Sequence, residues 1–528
     1  MKRLTPSLTR RDFLYRAAAV GGSALLLNTM NAWGMGIASK VATPPALSGS
    51  GKGKKVLVLG AGLAGMTAAF ELGKLGYRVE VLEARAFAGG RCQTARKGFK
   101  LQELGGQAQH CSFDEGHYIN HGPWRIPLDH QSTLHYTRLF NVPLEVMVND
   151  NDHAFVYLED AGPLSKQRLR GAQVKADMRG HVAELLAKTV RGRGLDAQLT
   201  GDDQALLLDY LAHEGALGKG DLAYKGRNGR GYAMNPGAGL FPGPGTPSDP
   251  LAFRDLLAAK VGKVYSAVQE FPMHATMFQP VGGMDQIARA FSKRLGKTIR
   301  YGAEVQRIRQ GADKVTVDVR DAASGKLSSV TADYCLCTVP LSVLRMIDTD
   351  FSEPFKAAIK AVPYAPVGKI GLQMGRRFWE EDEQIYGGHV LTDLKGINTI
   401  SLPSGGWQQR KGVVLGYYNY ALDAIEVSAL SPQERAEFAI AAGEKVFPAY
   451  RQEYENAFSV AWHRVQHSLG GWAEWSEAAR KSAYPVLLEG QGRVLLAGEH
   501  LSYLTGWQAG AIESAWQQIE QLHKRASA

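Results

Sequence analysis

Lys55-Val56-Leu57-Val58-Leu59-Gly60-Ala61-Gly62-Leu63-Ala64-Gly65 is the stretch that decides the fold. Lys55 to Leu59 is a short apolar run of the kind that forms a buried parallel strand. The stretch from Met66 to Leu75 reads as a helix, Gly76-Tyr77 turns the chain, and Arg78 to Leu82 reads as a second strand ending in Glu83. Together these form a βαβ unit with G-x-G-x-x-G at its first turn. Gly60 permits the tight turn, Gly62 lets a pyrophosphate approach the backbone, and Gly65 lets helix pack on strand. The helix start offers free N–H donors and the positive end of its dipole to phosphate. Glu83, 23 residues past Gly60, is placed to accept from ribose hydroxyls. An α/β fold that binds a dinucleotide follows.

The bulk properties narrow the class. The chain has 528 residues, 45% of them apolar and 21% charged, as expected of a multi-part globular protein. It has no run of eighteen apolar residues, so no membrane-spanning helix is expected. Its net charge of +10 lies mostly at one end: residues 1–55 hold nine basic residues and one acid, +8, leaving +2 for the other 473. The rest is nearly neutral, which argues against a nucleic-acid partner. Thr9-Arg10-Arg11-Asp12-Phe13-Leu14, followed by the apolar run Ala17 to Leu27, resembles a twin-arginine export signal. The alternative is a basic amphipathic helix. The export reading assigns residues 1–40 to the signal and 41–54 to a linker, with cleavage between Ala32 and Lys55 and a periplasmic or secreted product. The four cysteines give no disulfide framework. Cys335 and Cys337 fall on one face of a strand, too far apart to bridge, and read as small buried hydrophobes. No metal site is expected.

Beyond the βαβ unit, Glu83-Ala84-Arg85 and Gly89-Gly90-Arg91 resemble the extended FAD signature of the flavin monoamine oxidases. Further segments carry the same resemblance: Glu103-Leu104-Gly105-Gly106-Gln107, Asn120 to Pro127, Pro280 to Asp285, Glu304 to Ile308, Asp333 to Pro340, Gly498-Glu499-His500 and Thr505 to Gln508. It covers nearly all of the chain from Lys55 to the end, most weakly over 150–270, and within the family is closest to the L-amino acid oxidases. The resemblance implies a Rossmann-like FAD-binding domain, a mixed-sheet substrate domain and a helical insertion. The FAD-binding parts would be 55–112, 271–363 and 488–528, the substrate parts 113–160 and 364–487, and the insertion 161–270. Its cofactor-binding residues would be Gly60, Gly62, Ala64, Gly65, Glu83, Ala84, Arg85, Gly90, Arg91, Gly105, Gly106, Gly122, Pro123, Trp124, Arg125, Val305, Gly498, Glu499, Gly506, Trp507, Gln508 and Ala511. Some members attach FAD through a cysteine near the chain end. Here no cysteine follows Cys337, so non-covalent FAD is expected. No second G-x-G-x-x-G follows a strand, so the electrons should leave to dioxygen or another acceptor. Relatives with this layout are often dimers, and a homodimer is the expectation.

Inside the insertion, Leu164 to Val190 is rich in helix formers, Thr200-Gly201-Asp202-Asp203 reads as a helix start, and Asp255 to Gln269 is helical again. Gly226 to Pro250, crowded with Gly and Pro, reads as an irregular loop. Near the end, Arg493 to Ala497 reads as a strand and Gly506 to His523 as a helix, with Ile512, Ala515, Trp516 and Ile519 on one face.

The resemblance also assigns roles. Arg125 would clamp a substrate carboxylate, for which a guanidinium suits bidentate recognition. Tyr417 would be the second carboxylate contact, with Tyr418 and Tyr420 as rivals on the same strand. Gly506 would offer its carbonyl to the amine, and Trp507 would wall the aromatic slot. Lys369, a lysine in an apolar strand, would hold a water against the flavin, its pKa lowered by burial. His274 lies near the right region, but no general base is assigned. The implied reaction converts an L-amino acid, dioxygen and water to a 2-oxo acid, ammonia and hydrogen peroxide. Three rivals stand beside it: an amine or polyamine oxidase, an L-amino acid 2-monooxygenase, and a flavin-binding protein without catalysis.

Overall fold

The computed structural model describes residues 42–226, 228–240, 243–266 and 273–527. The twin-arginine segment lies outside the described residues. A five-stranded, wholly parallel sheet runs in the order Ile299–Arg300, Arg78–Leu82, Lys55–Leu59, Tyr334–Cys337, Val494–Leu496. Val56 and Val58 pack on one side with the helix Leu63–Lys74 and the C-terminal helix Gln508–Ser527. Leu57, Leu59, Cys335 and Cys337 pack on the other, against Leu344, Phe355 and Leu487. A strand covered on both faces must be apolar at every position, which is why Lys55–Leu59 reads as an unbroken run. All four cysteines are free and buried.

The second sheet is seven-stranded and mostly antiparallel, in the order Tyr454–Ala461, Val367–Met374, Gly412–Tyr420, Thr399–Leu402, Gly388–Thr392, Phe155–Tyr157, Leu169–Arg170. After the edge strand Leu169–Arg170 the chain from Gly171 to Glu214 forms two packed helices, Gly171–Arg191 and Gly201–Glu214. The doubly covered parallel sheet, the mixed sheet and the helical pair are the three expected parts of the fold.

Several boundaries differ from the sequence reading. The first helix begins at Leu63, three residues before Met66, because extended Gly62 is its N-cap. The helix predicted over 164–190 starts only at Gly171, after a short strand at Leu169–Arg170. Helix over 255–269 is broken into Phe253–Ala258 and Val261–Ser266 at Lys260, which has φ 53°, and 267–269 lie outside the described residues. Thr200 does open a helix: its hydroxyl accepts from Asp203 N while the Asp203 carboxylate accepts from Thr200 N, a capping box. The loop from Gly226 to Pro250 includes a small hairpin, Tyr232–Met234 with Thr246–Pro247. It is held at its base by Arg230, whose side chain is 0% exposed and fork-bonded to Asp177 of the long helix.

Candidate active site

A cavity of about 410 Å³ runs from the first βαβ turn to the inner face of the mixed sheet. Its nucleotide end is built by the turn after Lys55–Leu59. Gly60 has φ +99°, and a Cβ there would lie 2.9 Å from Thr338 Oγ1. A Cβ on Gly65 would fall 2.0 Å from the Gly60 carbonyl oxygen, so the helix can seat on the turn only with glycine. No side chain caps this helix, and Gly62, Leu63 and Ala64 line the cavity. The N–H donors of the first turn are therefore left for a ligand. Glu83, at the cavity wall, accepts from Ala61 N at 2.7 Å and from Arg85 N at 2.9 Å, which fixes its carboxylate at the end of its strand. An uncapped helix start facing a glycine turn and an oriented carboxylate fit a dinucleotide such as FAD.

The middle of the cavity is tied together by Glu499. Its carboxylate pairs with Arg91 at 2.8 Å and accepts from the backbone N–H groups of Ala473 at 3.3 Å and Gly506 at 3.2 Å. Arg91 also donates to Gly471 O. These bonds hold Trp472 and Trp507 on the same cavity, where a Cβ on Gly506 would meet the Trp472 ring at 3.4 Å. The Trp507 ring meets the edge of His130, ring centres 4.8 Å apart.

At the far end Lys369 is 2% exposed. Its Nζ donates to Gly122 O at 2.5 Å and stands over the Tyr418 ring at 4.1 Å and the Trp124 ring at 5.5 Å. No carboxylate pairs with it among the described residues. Burial, and then the charge of Arg125, push its pKa well below the ordinary lysine value. Arg125 reaches Met273 Sδ at 3.1 Å, its Nε is buried without a partner, and no carboxylate among the described residues pairs with it. The same guanidinium helps burial hold His389 neutral, at about 3. The Arg125 guanidinium therefore stands beside the buried Lys369 amine with no anion of its own among the described residues, and an anionic ligand would pair with it.

Of the residues named from sequence, Gly60, Gly62, Ala64, Glu83, Ala84, Arg85, Gly90, Arg91, Gly122, Pro123, Val305, Lys369, Gly498, Glu499, Gly506, Trp507, Gln508 and Ala511 line this one cavity. Gly65 sits behind it. Trp124 lines a neighbouring cavity, and Arg125 lies beside Lys369 without forming part of the wall. Two placements are corrected. Gly105 and Gly106 face the Arg464 guanidinium instead of the cavity, where Leu104 stands. Their neighbour Glu103 is drawn into a buried pair with Arg435, 2.7 Å, which fixes that turn against the mixed sheet. Tyr417 points the wrong way. Lys369 pairs across the strands with Tyr418, whereas Tyr417 pairs with Ile370 and is 1% exposed in the core on the opposite face. Alternation along the strand puts Tyr418 and Tyr420 on the Lys369 side, their rings 4.6 Å apart, with Trp472 5.6 Å from Tyr420. Trp472 was missed from sequence. Its signal is the pair Gly470-Gly471 before it, which lets the chain pass close to Tyr364 and Val367.

The description of the flavin containing amine oxidoreductase family matches residues 63–518. The chain belongs to that family. Among relatives of this amine oxidoreductase, the putative L-amino-acid oxidase YobN of Bacillus subtilis (strain 168) is 28% identical over 477 residues, 89% of this chain and 94% of that one. The L-amino-acid oxidase of Gloydius blomhoffii is 27% identical over 484 residues, 87% of each chain. Among solved structures, wild-type putrescine oxidase bound to putrescine has a TM-score of 0.59 at 16% identity, covering 89% of this chain and 98% of that one. Cyclohexylamine oxidase from Brevibacterium oxydans IH-35A has a TM-score of 0.59 at 15% identity, covering 90% and 100%. These structures share the fold. The family's flavin agrees with the nucleotide end of the cavity, and the protein is a flavin-dependent oxidoreductase.

Proposed function

We propose that this enzyme is an L-amino acid oxidase that holds FAD non-covalently and converts an L-amino acid, dioxygen and water to a 2-oxo acid, ammonia and hydrogen peroxide. The observation that carries the reading is Arg125, a guanidinium with no carboxylate partner among the described residues, beside Lys369 and Tyr418. A substrate α-carboxylate supplies the absent anion through two parallel N–H···O bonds. A plain amine or polyamine would bring a positive charge beside the Arg125 guanidinium and no carboxylate to pair with it, which opposes that rival. The L-amino-acid oxidases among the relatives point the same way.

Bound FAD supplies the two-electron oxidation of the substrate carbon–nitrogen bond and the transfer of those electrons to dioxygen. The chain's own residues bind, orient and keep the site dry. Arg125, with the Tyr418 hydroxyl, fixes the carboxylate. The Gly506 carbonyl, its peptide positioned by Glu499, accepts from the substrate amine. Trp472 and Trp507 exclude water and confine the substrate to one plane. Lys369, its proton loosely held, is suited to exchanging a proton at Nζ with a water during imine hydrolysis or oxygen reduction. Cys92 lines the cavity, but burial pushes its thiol up to about 12 and Gln508 donates to its sulfur, so it is a poor nucleophile for a flavin bond. Export by the twin-arginine route to the periplasm or medium, and a homodimeric state, complete the proposal.

The test is peroxide release by the purified yellow protein against L-amino acids, their D-forms and the decarboxylated amines. Turnover of the L-acids alone supports the reading, and turnover of the amines instead makes this an amine oxidase. Recovery of an amide in place of a 2-oxo acid would identify the monooxygenase.

A further inference from the structure

Next to the reactive end lies a second cavity, of about 380 Å³, that shares no lining residue with the first. One wall is the antiparallel pair Leu144–Val148 and Thr276–Pro280, in which Glu145 stands directly opposite Gln279. The Gln279 amide donates to Glu145 Oε1 at 2.7 Å and so orients the carboxylate. Gly405 leaves room for it, since a Cβ there would lie 2.8 Å from the same oxygen. Tyr118 and Trp124 supply aromatic walls.

The charges are unbalanced. Two cations line the cavity, Arg377 and Lys411, and both are already committed. Arg377 is paired with buried Glu380, and Lys411 with both Asp114 and Glu455. Glu145 alone of the lining charges has no opposite charge in salt-bridge reach among the described residues. Its field registers on Tyr118, whose phenol is pushed up to about 12 by burial and next by Glu145. An oriented, uncompensated carboxylate in a cavity that two aromatic side chains also line is suited to an organic cation, which gains from both the charge and the rings.

Trp124 separates the two cavities. Its ring lines the second and also lies 5.5 Å from Lys369 Nζ and 6.0 Å from the Tyr418 ring, both of which line the first. We propose that the second cavity, which Tyr118 and Trp124 also line, binds a small organic primary ammonium compound on Glu145, and that its occupancy is felt at the reactive end through the Trp124 indole. This site is separate from the one that holds the oxidised substrate.

The probe is tert-butylammonium chloride, whose carbon next to nitrogen bears no hydrogen and so cannot be oxidised. Binding to the flavin-loaded, full-length enzyme is followed at neutral pH by calorimetry and tryptophan fluorescence. The expected result is saturable binding of one cation per chain, weakened roughly tenfold or more by Glu145→Gln and by Gly405→Ala, and within about twofold of wild type in Trp472→Ala, which alters only the first cavity. The probe should also change KM for the oxidised substrate in wild type but not in Glu145→Gln. No saturable binding, or wild-type binding in both Glu145→Gln and Gly405→Ala, overturns the site. Binding lost in Trp472→Ala but kept in Glu145→Gln places the cation in the first cavity and overturns it as well. Binding without a change in KM refutes the coupling through Trp124. Equal binding of ammonium chloride with none of tert-butylammonium refutes the organic occupant. Since binding is read without turnover, its failure leaves the L-amino acid reading standing, and failure of that reading leaves the binding result standing.

Discussion

Replacing Arg125 with Met removes the guanidinium while keeping most of the apolar stem. The structure sets the size of the effect. Arg125 has no carboxylate partner among the described residues, and its Nε is buried without a bond, so its loss strands no anion among them. The cost falls on the substrate, whose carboxylate would enter a dry aromatic enclosure unpaired. Breaking a buried charge pair costs about 3–5 kcal/mol, which is roughly a 10²- to 10⁴-fold loss of kcat/KM for an L-amino acid. The decarboxylated amine makes no such contact, so its kcat/KM should stay level or rise as one repelling cation disappears. A second readout comes from Lys369. Burial and Arg125 hold its pKa down, so removing Arg125 lets it rise. Any limb of the pH–rate profile that requires neutral Lys369 must then move to higher pH. The assay is steady-state peroxide release for one amino acid and its amine across pH. An equal loss on both substrates would refute the clamp and make Arg125 a structural residue.

Three further outcomes follow from the geometry. Tyr418→Phe should lower kcat/KM for L-amino acids roughly tenfold through a lost charge-assisted bond, whereas Tyr417→Phe should leave it within about twofold and cost about 1 kcal/mol of stability; the reverse pattern in parallel kinetics and thermal melts would restore Tyr417 to the site. Gly65→Val drives its Cβ into the Gly60 carbonyl, so purified protein should lose its bound flavin by absorbance, and a fully yellow variant would contradict the turn geometry. Buried His121 and His500 and half-buried His389 are held to about 3, 4 and 3, from an ordinary 6.5, mainly by desolvation. They stay neutral in the folded state while the unfolded chain takes up protons below 6.5, so folding stability should fall from pH 6.5 towards 4. Each contributes a slope of about 1.4 kcal/mol per pH unit. Denaturant melts should show this decline, and His500→Gln should flatten it.

The sequence made the nucleotide end legible because its requirements are local. A turn with no room for Cβ, an uncapped helix start and a carboxylate at a strand end lie within one stretch from Gly60 to Glu83, and each appeared where expected. The reactive end is assembled from chain segments more than a hundred residues apart, and there the period of a strand decides. Tyr417 and Tyr418 differ by one position, and only the pairing of Lys369 with Tyr418 shows which faces the cavity. Gly105 and Gly106 failed for a similar reason, because a buried ion pair between Glu103 and Arg435, far away in sequence, fixes where that turn lies. Trp472 is reached only through the bonds of Glu499 to Arg91 and to two backbone amides.

The parallel sheet takes its strands from the beginning, the middle and the far end of the chain, and its last covering helix is Gln508–Ser527. Ile512, Ala515, Trp516, Ile519 and Leu522 from that helix complete the core around Val56, Val58 and Met66. The strand Lys55–Leu59 therefore cannot be sealed until a helix more than four hundred residues further along the chain is in place. A contact topology this non-local makes folding slow. A chain stopped at residue 505 would contain the whole glycine turn and still be unable to keep a nucleotide.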